Sequence, residues 1–316
     1  MMLDVENRAE ALLEFTSPLG ARRWKARILS ATPGVRMVVQ YTLYRGDSQP
    51  DREACVSLIG KFYADGQGCH AYRVMQELTA TLPRASASAL LAVPRALFYD
   101  PDRRLLVQQP VPGVPYGELL ECRDSPTYFR MAGRALACLH AQALLQGEEK
   151  GFGDHLDELI HPHPLRLGDE VCEYRPQIRS LLQAMEERAR MHASQVAISP
   201  LHRDFHLRQL FSGQGRVWLI DWDLFAKGDP ALDVGNFLAY LKTHLRQHWI
   251  PSTDAFLEGY FRDRPSPPLE RVPLYEAFTY LRLACKRFRL KGDRWKEKTG
   301  EMLRLSEKCL WKEGRA

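Results

Sequence analysis

The apolar positions of this chain follow two rhythms, and the change between them falls near residue 110. Before it, short apolar runs of strand character predict strands at 23–30, 36–44, 54–63, 93–99 and 104–109. Ala31-Thr32-Pro33-Gly34 reads as the turn between the first two, and Gly46 to Arg52 as a polar loop before the third. Helices are expected at 4–15, where Val5, Ala9, Leu12 and Leu13 share one side, and at 70–82. Beyond 110 the spacing turns helical. Met131, Ala135, Leu139 and Ala143 recur four apart within 126–145, and further helices are expected at 173–193, 232–244, 254–261, 274–288 and 295–311. Pro162 and Pro164 break any helical register across 151–167, so a loop is expected there despite His155, His161 and His163. Residues 86–92 are small and loose, and 262–268 form a Pro-rich break. Pro110-Val111-Pro112-Gly113-Val114-Pro115 is a rigid linker that divides the chain into 1–110 and 111–316. The pattern is that of an α+β chain with its strands concentrated at the front.

Composition narrows the class. At 316 residues with 45% apolar positions, the chain suits two parts with sizeable cores. No apolar run approaches the length of a membrane span. The first sixteen residues carry Asp4, Glu6, Glu10 and Glu14 and lack a basic start, so no signal peptide is expected. Seven scattered cysteines without a Cys-x-x-Cys pair read as thiols of a reducing cytoplasm rather than a disulfide frame or zinc site. The net charge of +5 hides an asymmetry, because residues 282–316 hold twelve Lys or Arg against five acids. The remainder of the chain is slightly acidic.

The densest candidate chemistry lies between two apolar runs, Val196–Ile198 and Val217–Ile220. Leu201-His202-Arg203-Asp204-Phe205-His206-Leu207-Arg208-Gln209-Leu210 precedes a Gly213-Gln214-Gly215 turn, and Ile220-Asp221-Trp222-Asp223 comes after it. Polar residues at strand ends and on loops can be aimed by a rigid scaffold. Two carboxylates separated by one hairpin-like excursion, Asp204 and Asp221, suit a hard cation that takes oxygen ligands, such as Mg²⁺. Lys61 is the only charge in Ser57–Tyr63 and calls for an anionic partner if buried.

His202-x-Asp204-x4-Gln209 resembles the HxDxxxxN catalytic loop of the protein-kinase-like fold. Ile220-Asp221-Trp222-Asp223 and Gly228-Asp229-Pro230-x2-Asp233 resemble companion elements of its aminoglycoside phosphotransferase and choline kinase branch, and His206 fits that branch. Gly133-x-Ala135-Leu136-Ala137-x-Leu139-His140 resembles its helical-lobe core helix, although His140 taken alone reads as a structural residue. The resemblance implies a bilobal fold, with an antiparallel sheet lobe preceding a mainly helical lobe. It implies phosphoryl transfer from ATP with Mg²⁺ to a hydroxyl of a small molecule. In that scheme Asp204 is the catalytic base, with His202 and Arg203 bracing its loop. Lys61, oriented by Glu77, contacts the phosphates; Gly34 lies in the turn over them; the Gln109 carbonyl and Val111 N–H hold adenine. Asp221 is the firm metal ligand, and Gln209, standing where the family has Asn, is the second. Asp223 and Asp229 are candidate substrate groups. Read alone, Gly34 fits an ordinary hairpin turn equally well, and Asp229 and Asp233 fit turn or helix-cap positions.

The acceptor expected from this reading is neutral or anionic, sugar-like or another metabolite, because the helices that would line its site are basic. A polycationic aminoglycoside would want an acidic pocket. No Ala-Pro-Glu segment comes after Asp223 to support a protein acceptor. Two other classes compete: a nucleotide-binding pseudokinase, prompted by Gln209 and the single-glycine turn, and a module for nucleic acid or anionic surfaces, resting on the basic end. Positive charge without a reading motif is a poor basis for the latter, so neither nucleic acid nor membrane is expected as a partner.

Overall fold

A computed structural model describes residues 21–45, 56–82, 90–245, 249–262 and 269–311. The helix expected at 4–15, the loop at 46–52, most of the loose 86–92 stretch and most of the Pro-rich break lie outside these residues. The chain divides into two compact units. One gathers the described residues before 83 with Ala92–Pro112 and Ile220–Asp223; the other holds residues 90–91, Gly113–Leu219 and the described residues from Leu224 on.

The first unit is built on an antiparallel sheet. Its strands are β1 (Ala21–Thr32), β2 (Arg36–Arg45) and β3 (Val56–Tyr63), then, after the two-residue β4 (Leu91–Ala92), β5 (Ala96–Asp100) and β6 (Leu105–Gln108). Their order is β1-β2-β3-β6-β5. Val39, Tyr41 and Leu43 of β2 point to one face at period two. There they pack with Leu58, Phe62, Leu105 and Val107. Gly60 lies under this cluster because a Cβ would press into the Tyr41 ring. The register pairs Arg36 with Tyr63 and Val38 with Lys61. Directly paired residues share a face, so Arg36, Lys61 and Tyr63 project together from the side away from that core. The helix α1 (Gln67–Thr81) buries Ala71, Val74, Met75 and Leu78.

The second unit is mainly helical: α2 (Ser125–His140), α3 (Phe152–Leu159), α4 (Pro164–Glu170), α5 (Arg175–His192), α6 (Ala231–Leu245), α7 (Trp249–Arg262), α8 (Val272–Leu290) and α9 (Trp295–Trp311). α2 packs on α7, and α8 on both α6 and α9. The α2–α7 approach needs glycine on both sides. A Cβ at Gly133 would collide with the Phe256 carbonyl, and one at Gly259 with the Arg130 carbonyl. α6 is buried on nearly every side from Ala231 to Leu241, which makes it the internal rod of the unit. Short strands complete it. β7 (Val114–Pro115) pairs with β9 (Leu210–Gly213), β9 with β10 (Arg216–Leu219), and β8 (Ser199–Leu201) with β11 (Ala226–Gly228). Gln214 and Gly215 both have positive φ, 56° and 70°, as a two-residue hairpin turn between β9 and β10 requires.

One expectation is overturned. Residues 151–167 are not a loop, because α3 and α4 fill most of that span. The prolines limit these helices without preventing them. α3 starts where the Asp154 carboxylate accepts the Gly151 N–H (2.8 Å), and it ends before Pro162. Pro164 sits in the first turn of α4, where its missing N–H costs nothing. The helix expected to run to Leu145 stops at His140, and the strand expected at 93–99 begins at Ala96. No described helix is long and apolar enough to cross a membrane, and the six described cysteines are free.

Candidate active site

The sheet unit gathers five polar residues. The Lys61 ammonium, only 5% exposed, lies 2.8 Å from Asp221 Oδ1 and 3.3 Å from Asp223 Oδ1. Arg36 pairs with both aspartates through Nη1 and with Asp221 Oδ2 through Nη2 at 3.1 Å. Tyr63 donates its hydroxyl to Asp223 at 2.8 Å. Strand register presents Arg36, Lys61 and Tyr63, and the 220–223 segment supplies the carboxylates. Asp221 has φ of 71°, a conformation side chains rarely adopt and one that Asp tolerates better than most. Burial alone would push the Lys61 ammonium down, but Asp221 and then Asp223 outweigh it and hold it above its ordinary range. Burial likewise works against the Asp221 carboxylate, and Lys61 and Arg36 more than offset it, keeping Asp221 well below the usual carboxylate range.

The helical unit builds the loop around Asp204. The buried Asp233, in the first turn of α6, accepts the His202 and Arg203 backbone N–H groups at 2.7 Å each. His140 Nε2 also meets Asp233 at 3.3 Å, while its Nδ1 takes the Tyr260 hydroxyl at 2.8 Å. One turn along α6, Asn236 donates to the Phe205 carbonyl at 3.0 Å. Arg203 sits at φ 64°, a strained position held by its surroundings. Its guanidinium reaches Glu158 of α3 (2.7 Å) and the Leu224 carbonyl (3.4 Å). The His202 ring is fully buried.

Asp204 itself meets three side chains: Arg282 Nη2 at 3.0 Å, Gln209 Nε2 at 3.3 Å and His206 Nε2 at 3.4 Å. His206 Nδ1 accepts the Arg208 N–H at 3.2 Å, which assigns the ring proton to Nε2, facing Asp204. The His206 ring lies against Tyr240, with centroids 4.4 Å apart. Burial pushes the Asp204 carboxyl up. Arg282 first and His206 next overcome this and hold it well below its ordinary range, so it stays ionised.

Four assignments change in this geometry. Among the described residues the ion pairs of Lys61 run to Asp221 and Asp223 and not to Glu77, which lies partly buried on α1. The reason is the strand register, which aims Lys61 to the face where the 220–223 segment joins the sheet. Asp223, expected at the substrate, belongs to the same ionic cluster as Asp221. Asp229 is 5% exposed, is held by both arms of Arg271 (2.6 and 3.0 Å) and caps α6 through the Ala231 N–H, so it is a structural residue rather than a substrate contact. Gln209 presents its amide nitrogen to Asp204. Gly34 has φ of 71°, and a Cβ there would meet nothing within 4 Å, so its backbone conformation rather than crowding calls for glycine. Gln109 donates its N–H to the Arg95 carbonyl at 3.0 Å, and Val111 lies partly buried in the linker. Arg36, Tyr63, Asn236 and Arg282 were not singled out from the sequence. For Tyr63 a signal existed, since it shares the period-two face of Lys61.

Asp221 and Asp223 offer the hard oxygen donors that Mg²⁺ prefers, and two cations already sit on them, so this position favours positive charge. No group of three or more His, Cys, Asp or Glu side chains suited to a metal occurs among the described residues. Of the three histidines of 155–163, His155 is buried, His161 Nε2 lies 2.9 Å from the Glu158 carbonyl oxygen and His163 caps α4.

The model of the phosphotransferase enzyme family APH matches residues 41–269, and the chain belongs to that family. No curated protein matches the chain. Among solved structures, it is similar to a choline/ethanolamine kinase family protein from Mesorhizobium loti, with 16% identity, TM-score 0.60 and coverage of 98% of this chain and 95% of that one. A thermostable mutant of the aminoglycoside phosphotransferase APH(4)-Ia gives 15% identity and TM-score 0.61 over 96% and 99%. The spectinomycin phosphotransferase APH(9)-Ia, solved with ADP and spectinomycin, gives 10% identity and TM-score 0.60 over 96% and 98%. At these identities the likeness establishes a shared protein-kinase-like fold.

Proposed function

We propose that this phosphotransferase moves the γ-phosphate of ATP to a hydroxyl of a small molecule that is not a polycation. The observation that carries the reading is Asp204: an ionised carboxylate on a loop whose backbone is clamped by Asp233 and Asn236. A carboxylate fixed in this way can orient an attacking hydroxyl and take its proton as the new bond forms. Its lowered basicity favours orientation over early proton removal, which suits a reaction governed by positioning and charge compensation.

The sheet cluster supplies the donor's partners. Lys61 and Arg36 are the cations for the phosphates, and the Gln109 carbonyl and Val111 N–H are the groups for adenine. A neighbour of the same fold solved with ADP supports an adenine nucleotide. Mg²⁺ held by Asp221, with Asp223 beside it, would neutralise phosphate charge. Two features favour the pseudokinase alternative: Gln209 in place of Asn, and the Arg282 pair on Asp204.

The test is ATP consumption against sugars, sugar acids, sugar phosphates, amino alcohols and aminoglycosides. Acceptor-dependent turnover that vanishes in Asp204→Asn supports the proposal. Turnover that survives the substitution, or a preference for aminoglycosides, overturns it.

A further inference from the structure

Five basic residues, Lys286, Arg287, Arg289, Lys291 and Arg294, crowd the end of α8 and the turn leading into α9, and the structure sorts them. Lys291 pairs with Glu170 (3.7 Å) and lies over the Phe288 and Trp295 rings, while Arg294 pairs with Glu297 (2.7 Å). Arg287 lines a cleft of about 800 Å³ with Glu276, Tyr280 and Met302. Lys286 and Arg289 differ. With Arg282 they recur at i, i+4 and i+7, one stripe of the helix. That stripe begins at the residue paired with Asp204 at 3.0 Å.

Arg208, four residues after Asp204, joins the group. Lys286 feels Asp204, Arg282, Arg208 and Arg289, and its ammonium is pushed down by its own burial first and then, against the pull of Asp204, by the three arginines. Among the described residues Arg208, Lys286 and Arg289 make no ion pair. Arg282 thus sits on Asp204, Lys286 lies one turn along the same stripe, and Lys286 and the exposed Arg208 and Arg289 near it have no carboxylate partner of their own among the described residues. Like charges gathered around a partly buried lysine are costly unless a ligand neutralises them. An acceptor bearing ammonium groups would meet repulsion here, whereas an anion would relieve it.

We infer that Arg208, Lys286 and Arg289 form an anion subsite beside Asp204, so that the acceptor is a hydroxyl compound carrying a phosphate or carboxylate group. This rests on Asp204 marking the acceptor site, as proposed above. The choline and aminoglycoside acceptors named for other proteins of this fold are cationic, so the inference separates this chain from them by the sign of the substrate's charge. The three residues are specificity groups. They hold the anion while Asp204 addresses the hydroxyl.

Two measurements test it. Calorimetry with inorganic phosphate compares the wild-type protein with the Lys286→Glu/Arg289→Glu variant, each first shown to melt at the same temperature; Lys286→Gln/Arg289→Gln replaces it if the reversed pair does not fold. The dissociation constant should rise at least tenfold in the variant. Equal affinity within twofold overturns the subsite, whether or not the protein transfers phosphate. ATP consumption is then measured on a matched set: a hexose, its 6-phosphate, its uronic acid and its amino sugar. The anionic members should show at least tenfold higher kcat/KM than the hexose, carried by KM. That ratio should collapse in the variant, and the phosphate and uronate arms tell which anion is preferred. A preference for the amino sugar, or a ratio the variant leaves unaltered, overturns the inference. If no member is turned over, the phosphotransfer reading is unsupported for this set and the phosphate titration still decides the subsite.

Discussion

The sheet cluster and the Asp204 loop both concentrate charge, but they balance it differently. On the sheet, two cations and two carboxylates compensate each other side chain to side chain, with Tyr63 completing Asp223. At the loop, the carboxylate that holds the structure, Asp233, is separate from the one proposed to act, Asp204. Asp233 is spent on two backbone N–H groups and His140, whereas Asp204 faces side chains that a substrate can displace. The lesson is a division of labour. A reactive group can be exchanged without loss of fold only where another group carries the architecture.

The largest effect expected is from Asp204→Asn, which should cost about 10²–10⁴-fold in kcat, the usual worth of a positioned acid–base group. Nucleotide affinity should change little, and stability should fall by less than in Asp233→Ala, because the amide oxygen can still accept from Arg282. A large loss of thermal stability in this variant would break the distinction between working and supporting carboxylates. Asp233→Ala should do the reverse, removing about 3 kcal/mol of stability, because two buried backbone donors lose their acceptor at about 1–3 kcal/mol each. Urea unfolding measures this, and a loss below about 1 kcal/mol would mean that the loop holds itself.

Next is a pH effect confined to the helical unit. His155 is fully buried and neither ring nitrogen makes a hydrogen bond among the described residues. Burial first, and Arg203 next, push it down to about 4. Because the folded value lies below the ordinary one near 6.5, this neutral ring supports the fold fully above that pH, and the support is lost as pH falls toward 4. At pH 5 the loss should be about 2 kcal/mol relative to pH 8. The slope of stability against pH should flatten in His155→Phe, and an unchanged slope would assign the acid sensitivity elsewhere. The smallest effect concerns the sheet. Arg36→Ala should weaken nucleotide binding about tenfold, equivalent to roughly 1.4 kcal/mol. Unaltered affinity by calorimetry would mean that Arg36 serves only the two aspartates.

Much of this was readable along the chain. Period-two and helical spacing located the strands of the five-stranded sheet and most described helices to within a few residues, because burial of one face is a local demand on a repeating backbone. Short-range motifs drew attention to Asp204 and Asp221, and Lys61 stood out as the one charge in an apolar strand. The segment 151–167 was not legible in this way, because two prolines argue against a helix in general, whereas each here occupies a position that helices tolerate.

What only the tertiary structure decided was which charges meet. Arg36 reaches Asp221 across 185 positions, Lys61 reaches it across 160, and Arg203 reaches Glu158 across 45. No local pattern encodes such pairings. They depend on strand register, on the packing of α6 beneath the loop and on the rotation of α8 that puts Arg282 rather than Arg287 against Asp204. Asp229 and Asp233 stand four residues apart and look alike in sequence. One became a helix cap bound to Arg271 and the other the clamp of the loop, because a buried carboxylate takes whichever donors the surrounding elements bring to it.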